Sequence, residues 1–221
     1  MSGKPLIVAI DGPAGAGKST VARRVAEALG ISYLDTGALY RALAFYLDGR
    51  DIPPAESESL SRALEEVSID IDGEGVHIDG KSVGREIRSP RIDGIVSAYA
   101  SLPMVRDRLL SLQREQGERR SIVADGRDMA TVVFPGADVK IFLPATDEER
   151  ARRRFKELES RNEPVRFEEV LEQIRQRDRT DSGRQTAPLR KACDAVELPT
   201  DGLSIEEVAD AILALVRKTS K

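Results

Sequence analysis

The sequence predicts an α/β fold in which helices flank a parallel sheet and a small antiparallel segment interrupts the pattern. Three observations point there. Short continuous apolar runs, the mark of strands buried on both faces, recur along the chain. Between them, apolar residues fall at three- and four-residue spacing, as in helices that cover such a sheet. One region, about residues 67–90, instead alternates and turns in the manner of a hairpin.

Residues 6–10 (LIVAI) form the first buried-type strand, and the glycine-rich stretch 11–17 cannot continue it. Val21, Ala22, Val25, Ala26 and Leu29 then mark a helix over 18–29 that Gly30 stops. Residues 31–34 form a second strand, and Leu39, Leu43 and Leu47 place a helix over 38–47. Residues 67–71 and 76–78 alternate around the turn 72–75, with a second turn at Asp79-Gly80. Helix resumes over about 91–118, and Pro103 suits the first turn of its second half. Residues 121–124 and 139–143 are two further strands, followed by charged helices over about 147–161 and 167–179. A strand near 195–198 precedes a last helix from Ser204, where Ser204 and Glu207 make a capping box, to about Arg217.

Composition narrows the chemistry. Of 221 residues, 34 are basic and 38 acidic, so the net charge of −4 argues against a general grip on nucleic acid. With no Trp, four Tyr and five Phe, stacking platforms for single strands are scarce. One cysteine, Cys193, excludes an internal disulfide and fits a reducing, cytoplasmic compartment. One histidine, His77, leaves no partner for a His-rich metal site. No apolar run approaches a membrane span, and the N-terminal stretch has no cleavage pattern. Lys, Arg, carboxylates, hydroxyls and backbone amides remain, the groups that handle phosphate.

Gly12-Pro13-Ala14-Gly15-Ala16-Gly17-Lys18-Ser19 satisfies G-x-x-x-x-G-K-[ST] at every position, between a buried-type strand and an amphipathic helix. Glycines let consecutive N–H groups approach phosphate oxygens, and the following helix N-terminus adds positive potential. Lys18 supplies a charge to the β/γ-phosphates and the Ser19 hydroxyl a ligand for Mg²⁺, with Thr20 next in the helix. The fold expected is therefore of the P-loop NTPase type. A guanine-reading Asn-Lys-x-Asp loop cannot exist, because the only asparagine, Asn162, precedes Glu163. A second anion site is expected at the helix that starts Leu34-Asp35-Thr36-Gly37-Ala38-Leu39-Tyr40-Arg41. Asp35 or Thr36 can cap it, and Arg41 lies one turn in on the same side.

Strand, P-loop, helix and then T-G-x-x-x-R resemble the nucleoside monophosphate kinases. The phrases 124–129 (ADGRDM) with 131–135 (TVVFP), 84–88 (GREIR), and 177–184 (RDRTDSGR) through 187–189 (APL) more narrowly resemble the bacterial cytidylate kinases. The resemblance spans about residues 5–216. It implies one P-loop kinase domain over 1–221, with a nucleoside-monophosphate-binding region at 37–118 that contains the small antiparallel sheet. It also implies a helical lid at 147–165.

The implied reaction moves the ATP γ-phosphoryl group to CMP or dCMP, with Mg²⁺ as cofactor, in a monomer that takes small molecules only. By the same resemblance, Thr36 and Arg41 hold the acceptor phosphate, and Ser97, Arg106 and Asp128 read cytosine. Arg127 and Arg177 act with Lys18 at the phosphates, Asp181 and Arg184 lie near the sugar, and Asp125 assists Ser19 with Mg²⁺. Glu148–Arg152 and Glu149–Arg153 have the spacing of surface pairs, but in such a lid one or two residues of the run Arg150, Arg152, Arg153 and Arg154, Arg154 foremost, are expected at phosphate and the others at the surface. Two other functions stay open to the residues: another small-acceptor P-loop kinase, and a nucleotide-dependent RNA-binding module using the Arg-rich helices.

Overall fold

A computed structural model describes residues 4–72, 75–160 and 164–219. The expected turn residues Gly73 and Glu74 lie outside the described residues, as do Asn162 and the end of the helix expected over 147–161. The chain divides into two compact units, Met1–Leu34 with Gln116–Lys221, and Asp35–Glu115.

The first unit is built on a five-stranded sheet ordered β2-β6-β1-β7-β8. Its strands are β1 (Ile7–Asp11), β2 (Ser32–Asp35), β6 (Ile122–Gly126), β7 (Val139–Phe142) and β8 (Val196–Glu197). β1 pairs in parallel with β6 on one side and β7 on the other, and β7 pairs in parallel with β8. The chain leaves the central strand in both directions, so the carboxyl end of β1 is the switch point where such sheets open a ligand crevice. Helix α1 (Lys18–Leu29) follows β1, and Gly30 ends it in the left-handed conformation at φ 63°. Val21, Val25 and Ala26 pack with Val8, Ile10 and Ile141 of the sheet and with Ile212 and Val216 of α8 (Ile205–Thr219). The Ser204 hydroxyl accepts from Glu207 N–H, and the Glu207 carboxylate accepts from Ser204 N–H, completing the capping box. Two charged helices, α6 (Asp147–Ser160) and α7 (Phe167–Gly183), share a small core of Ala151, Leu158, Val170 and Ile174.

The second unit holds α2 (Thr36–Asp48), α3 (Glu58–Glu66), α4 (Pro90–Ala100) and most of α5 (Pro103–Arg119). The hairpin gains a third strand: β3 (Ile69–Ile71), β4 (Val76–Ile78) and β5 (Lys81–Val83) form an antiparallel sheet with β4 in the centre. The turn at Asp79-Gly80 carries positive φ at both residues, which fits a tight hairpin. The helix expected over 91–118 is two helices. Ser89 caps the first, and Pro103, which has no N–H to donate, opens the second. Arg108 donates to the Leu64 and Val67 carbonyls, tying α5 to the end of α3.

Candidate active site

The phosphate loop follows β1 with its geometry set by glycine. Gly12 has φ 152°, and a β-carbon there would lie 2.4 Å from the Leu143 carbonyl oxygen. Gly15 and Gly17 have φ 77° and 84°, conformations that favour glycine. Pro13 and Ala14 are half-buried, Ala16 is buried, and Ser19 and Thr20 stand exposed on the first turn of α1. Lys18 is buried, and its Nζ donates to the Pro13 carbonyl at 2.8 Å. Burial, followed by the Arg127 charge and more weakly Arg177, pushes the Lys18 ammonium down to about 7 against the pull of Asp125 and Asp11. A cation in that condition favours an arriving anion, which restores its proton.

Ser19 Oγ donates to Asp125 Oδ2 at 2.8 Å, and the Tyr33 hydroxyl donates to Asp125 Oδ1 at 2.6 Å. A hydroxyl and a carboxylate at the mouth of the loop suit a hard cation that keeps water and phosphate as its other ligands. Among the described residues no group of three or more His, Cys, Asp or Glu could hold a metal alone. The Ser19 hydroxyl and Asp125 carboxylate are oxygen donors of the kind that fits Mg²⁺ bound with a phosphate.

Beyond β6 the chain makes a π turn, Met129–Val133, a form frequent at functional sites. Asp11, at the end of β1, accepts from Met129 N–H at 2.8 Å and Ala130 N–H at 2.7 Å. Burial pushes the Asp11 carboxyl up to about 6, although those two N–H bonds pull it down. Asp128, immediately before the turn, is buried, with Arg184 Nη2 at 3.8 Å from its Oδ1. Arg127 Nε donates to Asp181 Oδ2 at 2.9 Å, and Arg184 Nη1 lies 4.0 Å from Asp181 Oδ1. Burial would raise the Asp181 carboxyl, but Arg127, Arg177 and Arg184 outweigh it and hold it below the usual carboxylate range. Lys18, Arg127, Arg177, Arg184, Asp125, Asp128 and Asp181 thus belong to one electrostatic neighbourhood in the first unit.

In the second unit, Asp35 caps α2 by accepting from Ala38 N–H at 2.9 Å, and Thr36 is the first helical residue and buried. A β-carbon at Gly37 would press the Asp35 carboxylate at 3.3 Å, so glycine leaves room for the cap. Arg88 donates to Asp35 Oδ2 at 2.8 Å, and Arg41 pairs with Asp93. Ser97 lies half-buried in α4. Arg106 is buried, donates to the Ala100 carbonyl and lies 5.3 Å from the Tyr40 ring centroid, so it is no surface arginine.

Helix α6 places its arginines differently from one another. Arg154, expected at phosphate, donates to Glu157 at 2.8 Å. Arg150 and Arg153 instead reach the phosphate loop, donating to the Ala14 and Ala16 carbonyls at 3.0 and 3.4 Å. Of the two expected surface pairs, Glu149–Arg153 forms at 3.0 Å, whereas Glu148 bonds Arg175 and Arg152 pairs with Glu149. Asp11, Tyr33 and Thr200 were not legible as site residues, although Asp11, adjoining the loop, carried a positional hint; Arg150 and Arg153 were candidates only as members of the arginine run 150–154.

A strand ending in a phosphate loop, a lysine at the helix start and a hydroxyl–carboxylate pair define a P-loop nucleotide-binding protein. A model of the cytidylate kinase family matches residues 8–218. A cytidylate kinase of Fervidobacterium nodosum is 51% identical over 96% of this chain and 96% of its own length. One of Thermosipho melanesiensis is 48% identical over 98% and 99%. In fold, the chain is similar to an uncharacterised protein of Eubacterium ventriosum whose crystal structure aligns with a TM-score of 0.54 at 15% identity, covering 97% of this chain and 99% of that one. The chain belongs to the cytidylate kinase family.

Proposed function

We propose that this protein transfers the γ-phosphoryl group of ATP to CMP or dCMP, giving ADP and the cytidine diphosphate. The observation that carries the proposal, beside family membership, is the cationic group of buried Lys18 with half-buried Arg127 and Arg177, whose charges act on the lysine. Such a group is costly empty and favourable around a polyanion.

The N–H groups of Ala14 to Ser19 cradle the donor phosphates, and Lys18 neutralises charge on the transferring group. Ser19 and Asp125 would hold Mg²⁺, which would supply charge neutralisation at the donor phosphates. Thr36 and Arg41 hold the acceptor phosphate, a dianion that attacks without a general base, so positioning and electrostatics carry the rate. Asp128 accepts from the exocyclic amine of cytosine while Ser97 and Arg106 donate to its ring acceptors. Asp181 and Arg184 attend the sugar, Arg127 and Arg177 the phosphates, and Arg154 is an ATP contact in the lid segment 147–165. The region 37–118 serves the monophosphate.

The acidic balance and the single cysteine support a cytoplasmic protein acting on small molecules rather than on nucleic acid, and the family resemblance implies a monomer. No helix among the described residues is long and apolar enough to cross a membrane.

ADP release measured with CMP, dCMP, UMP, AMP and GMP in turn tests the assignment. CMP and dCMP should be the efficient acceptors. Equal rates with AMP and CMP would leave a kinase without its cytidine specificity. Salt-sensitive RNA binding with no acceptor-dependent ADP release would favour the binding-module alternative.

A further inference from the structure

The outward side of the phosphate loop is held as deliberately as its inward side. Three of its carbonyls accept from cationic side chains. Lys18 takes the Pro13 oxygen at 2.8 Å, Arg150 the Ala14 oxygen at 3.0 Å and Arg153 the Ala16 oxygen at 3.4 Å. The Thr200 hydroxyl also lies 3.3 Å from the Ala16 oxygen, and Arg153 donates to the Thr200 hydroxyl at 3.1 Å and carbonyl at 2.8 Å. Arg150 is almost wholly buried, with its Nε on the Ala145 carbonyl and Nη2 on Asp147 and Asp178. Its fixed partners make it a strut within the fold rather than a side chain waiting for a ligand.

In a trans peptide the C=O and the following N–H point in opposite directions. No cis peptide bond occurs among the described residues. Fixing the Ala14 oxygen therefore aims the Gly15 N–H the other way, and fixing the Ala16 oxygen aims the Gly17 N–H. Glycine at both positions removes the side-chain barrier to peptide rotation, so something else must stop it. At Gly15 a β-carbon would come within 3.2 Å of Arg150 Cβ, which shows how closely α6 approaches the loop. A guanidinium on the carbonyl also polarises the peptide and strengthens its N–H as a donor.

We infer that Arg150 and Arg153 are positioning residues for the donor phosphates, acting through the Ala14 and Ala16 carbonyls rather than by touching the nucleotide. Thr200 assists at Ala16. The inference rests on the reading of this loop as the seat of the ATP polyphosphate.

The test uses the full chain with Arg153→Met, Thr200→Val and the double variant. KM for ATP, KM for CMP and the affinity for inorganic tripolyphosphate are measured at matched folding, checked by thermal melting. Arg153→Met should raise KM for ATP and weaken tripolyphosphate by about tenfold, as expected for losing a charge-assisted bond, with KM for CMP unchanged. Thr200→Val should move the same two quantities in the same direction by a smaller factor. The double variant should fall short of the product of the single effects, because both act on one carbonyl. An unchanged KM for ATP in both single variants overturns the inference. So does an effect of Arg153→Met alone with Thr200→Val silent, which would mean direct contact with phosphate, and so do fully multiplicative effects. Were Arg153→Met not to fold, Thr200→Val decides alone: a wild-type KM for ATP overturns the inference. If the unaltered protein makes no cytidine diphosphate yet the tripolyphosphate pattern holds, the functional assignment fails and the inference stands.

Discussion

Ser19 Oγ donates to Asp125 Oδ2 at 2.8 Å, joining the first turn of the helix after the phosphate loop to the end of the neighbouring strand. A carboxylate that orients a metal-ligating hydroxyl governs how tightly the metal sits. Asp125→Asn should raise the Mg²⁺ concentration for half-maximal activity by about tenfold or more, with KM for CMP little changed. A magnesium titration at saturating ATP and CMP checks it, and an unaltered midpoint would remove Asp125 from the metal site.

Arg127, Arg177 and Arg184 converge on Asp181 and hold its carboxyl below the ordinary range despite burial. A depressed carboxyl contributes stability above its unfolded pKa, near 4, and loses it as pH falls through the lower folded value. Asp181→Asn removes the carboxylate on which these guanidiniums converge and should cost about 3 kcal/mol at pH 7. Urea unfolding of both proteins should show the gap narrowing only below about pH 4.

Lys18 is held down to about 7, first by burial and then by Arg127. A donor polyphosphate reverses that balance, so ATP binding at pH 8 should take up as much as about one proton. Calorimetry in buffers of different ionisation enthalpy measures the uptake, and Lys18→Met should abolish it. Without ligand, the unfolded chain binds this proton up to about pH 10 and the folded chain only to about 7. Stability relative to Lys18→Met should therefore rise with pH across that window.

Gly12 and Gly94 should respond oppositely to alanine. At Gly12 the β-carbon meets the Leu143 oxygen at 2.4 Å with φ at 152°, and the variant should lose about 3 kcal/mol or more. Exposed Gly94 lies within α4 with nothing within 4 Å of an added β-carbon, so Gly94→Ala should gain about 0.5–1 kcal/mol. Thermal melts of the two variants compare them directly.

The opening strand, loop and helix were legible because their signals are local. The apolar run, the glycines and the three- and four-residue spacing all lie within residues 6–30, and the helix occupies 18–29 as expected. The π turn was not, because its first N–H groups are satisfied by Asp11, more than a hundred positions away. Strand β5 has no alternation of its own and exists through its pairing with β4. Helix α3 did carry a signal, Ser57 capping Leu60 with Ala63 and Leu64 on one face, but its many charges obscured it.

The arginines of α6 show the limit most clearly. In sequence, Arg150, Arg152, Arg153 and Arg154 are one charged run, and i,i+4 spacing can suggest pairs. Only the docking of the helix decides that Arg150 is buried, that Arg152 is solvated and that Arg150 and Arg153 reach the phosphate loop. Resemblance alone supplied the roles expected of Asp128, Arg177 and Asp181, whose residue types by themselves admit ordinary surface readings.

Phosphorus NMR of a mixture of ATP, CMP, Mg²⁺ and the protein tests the central claim most directly. Cytidine diphosphate signals should grow at the rate at which the ATP γ-phosphate disappears, with Lys18→Met inactive. Loss of the γ-phosphate into inorganic phosphate, with CMP unchanged, would contradict phosphoryl transfer to cytidylate.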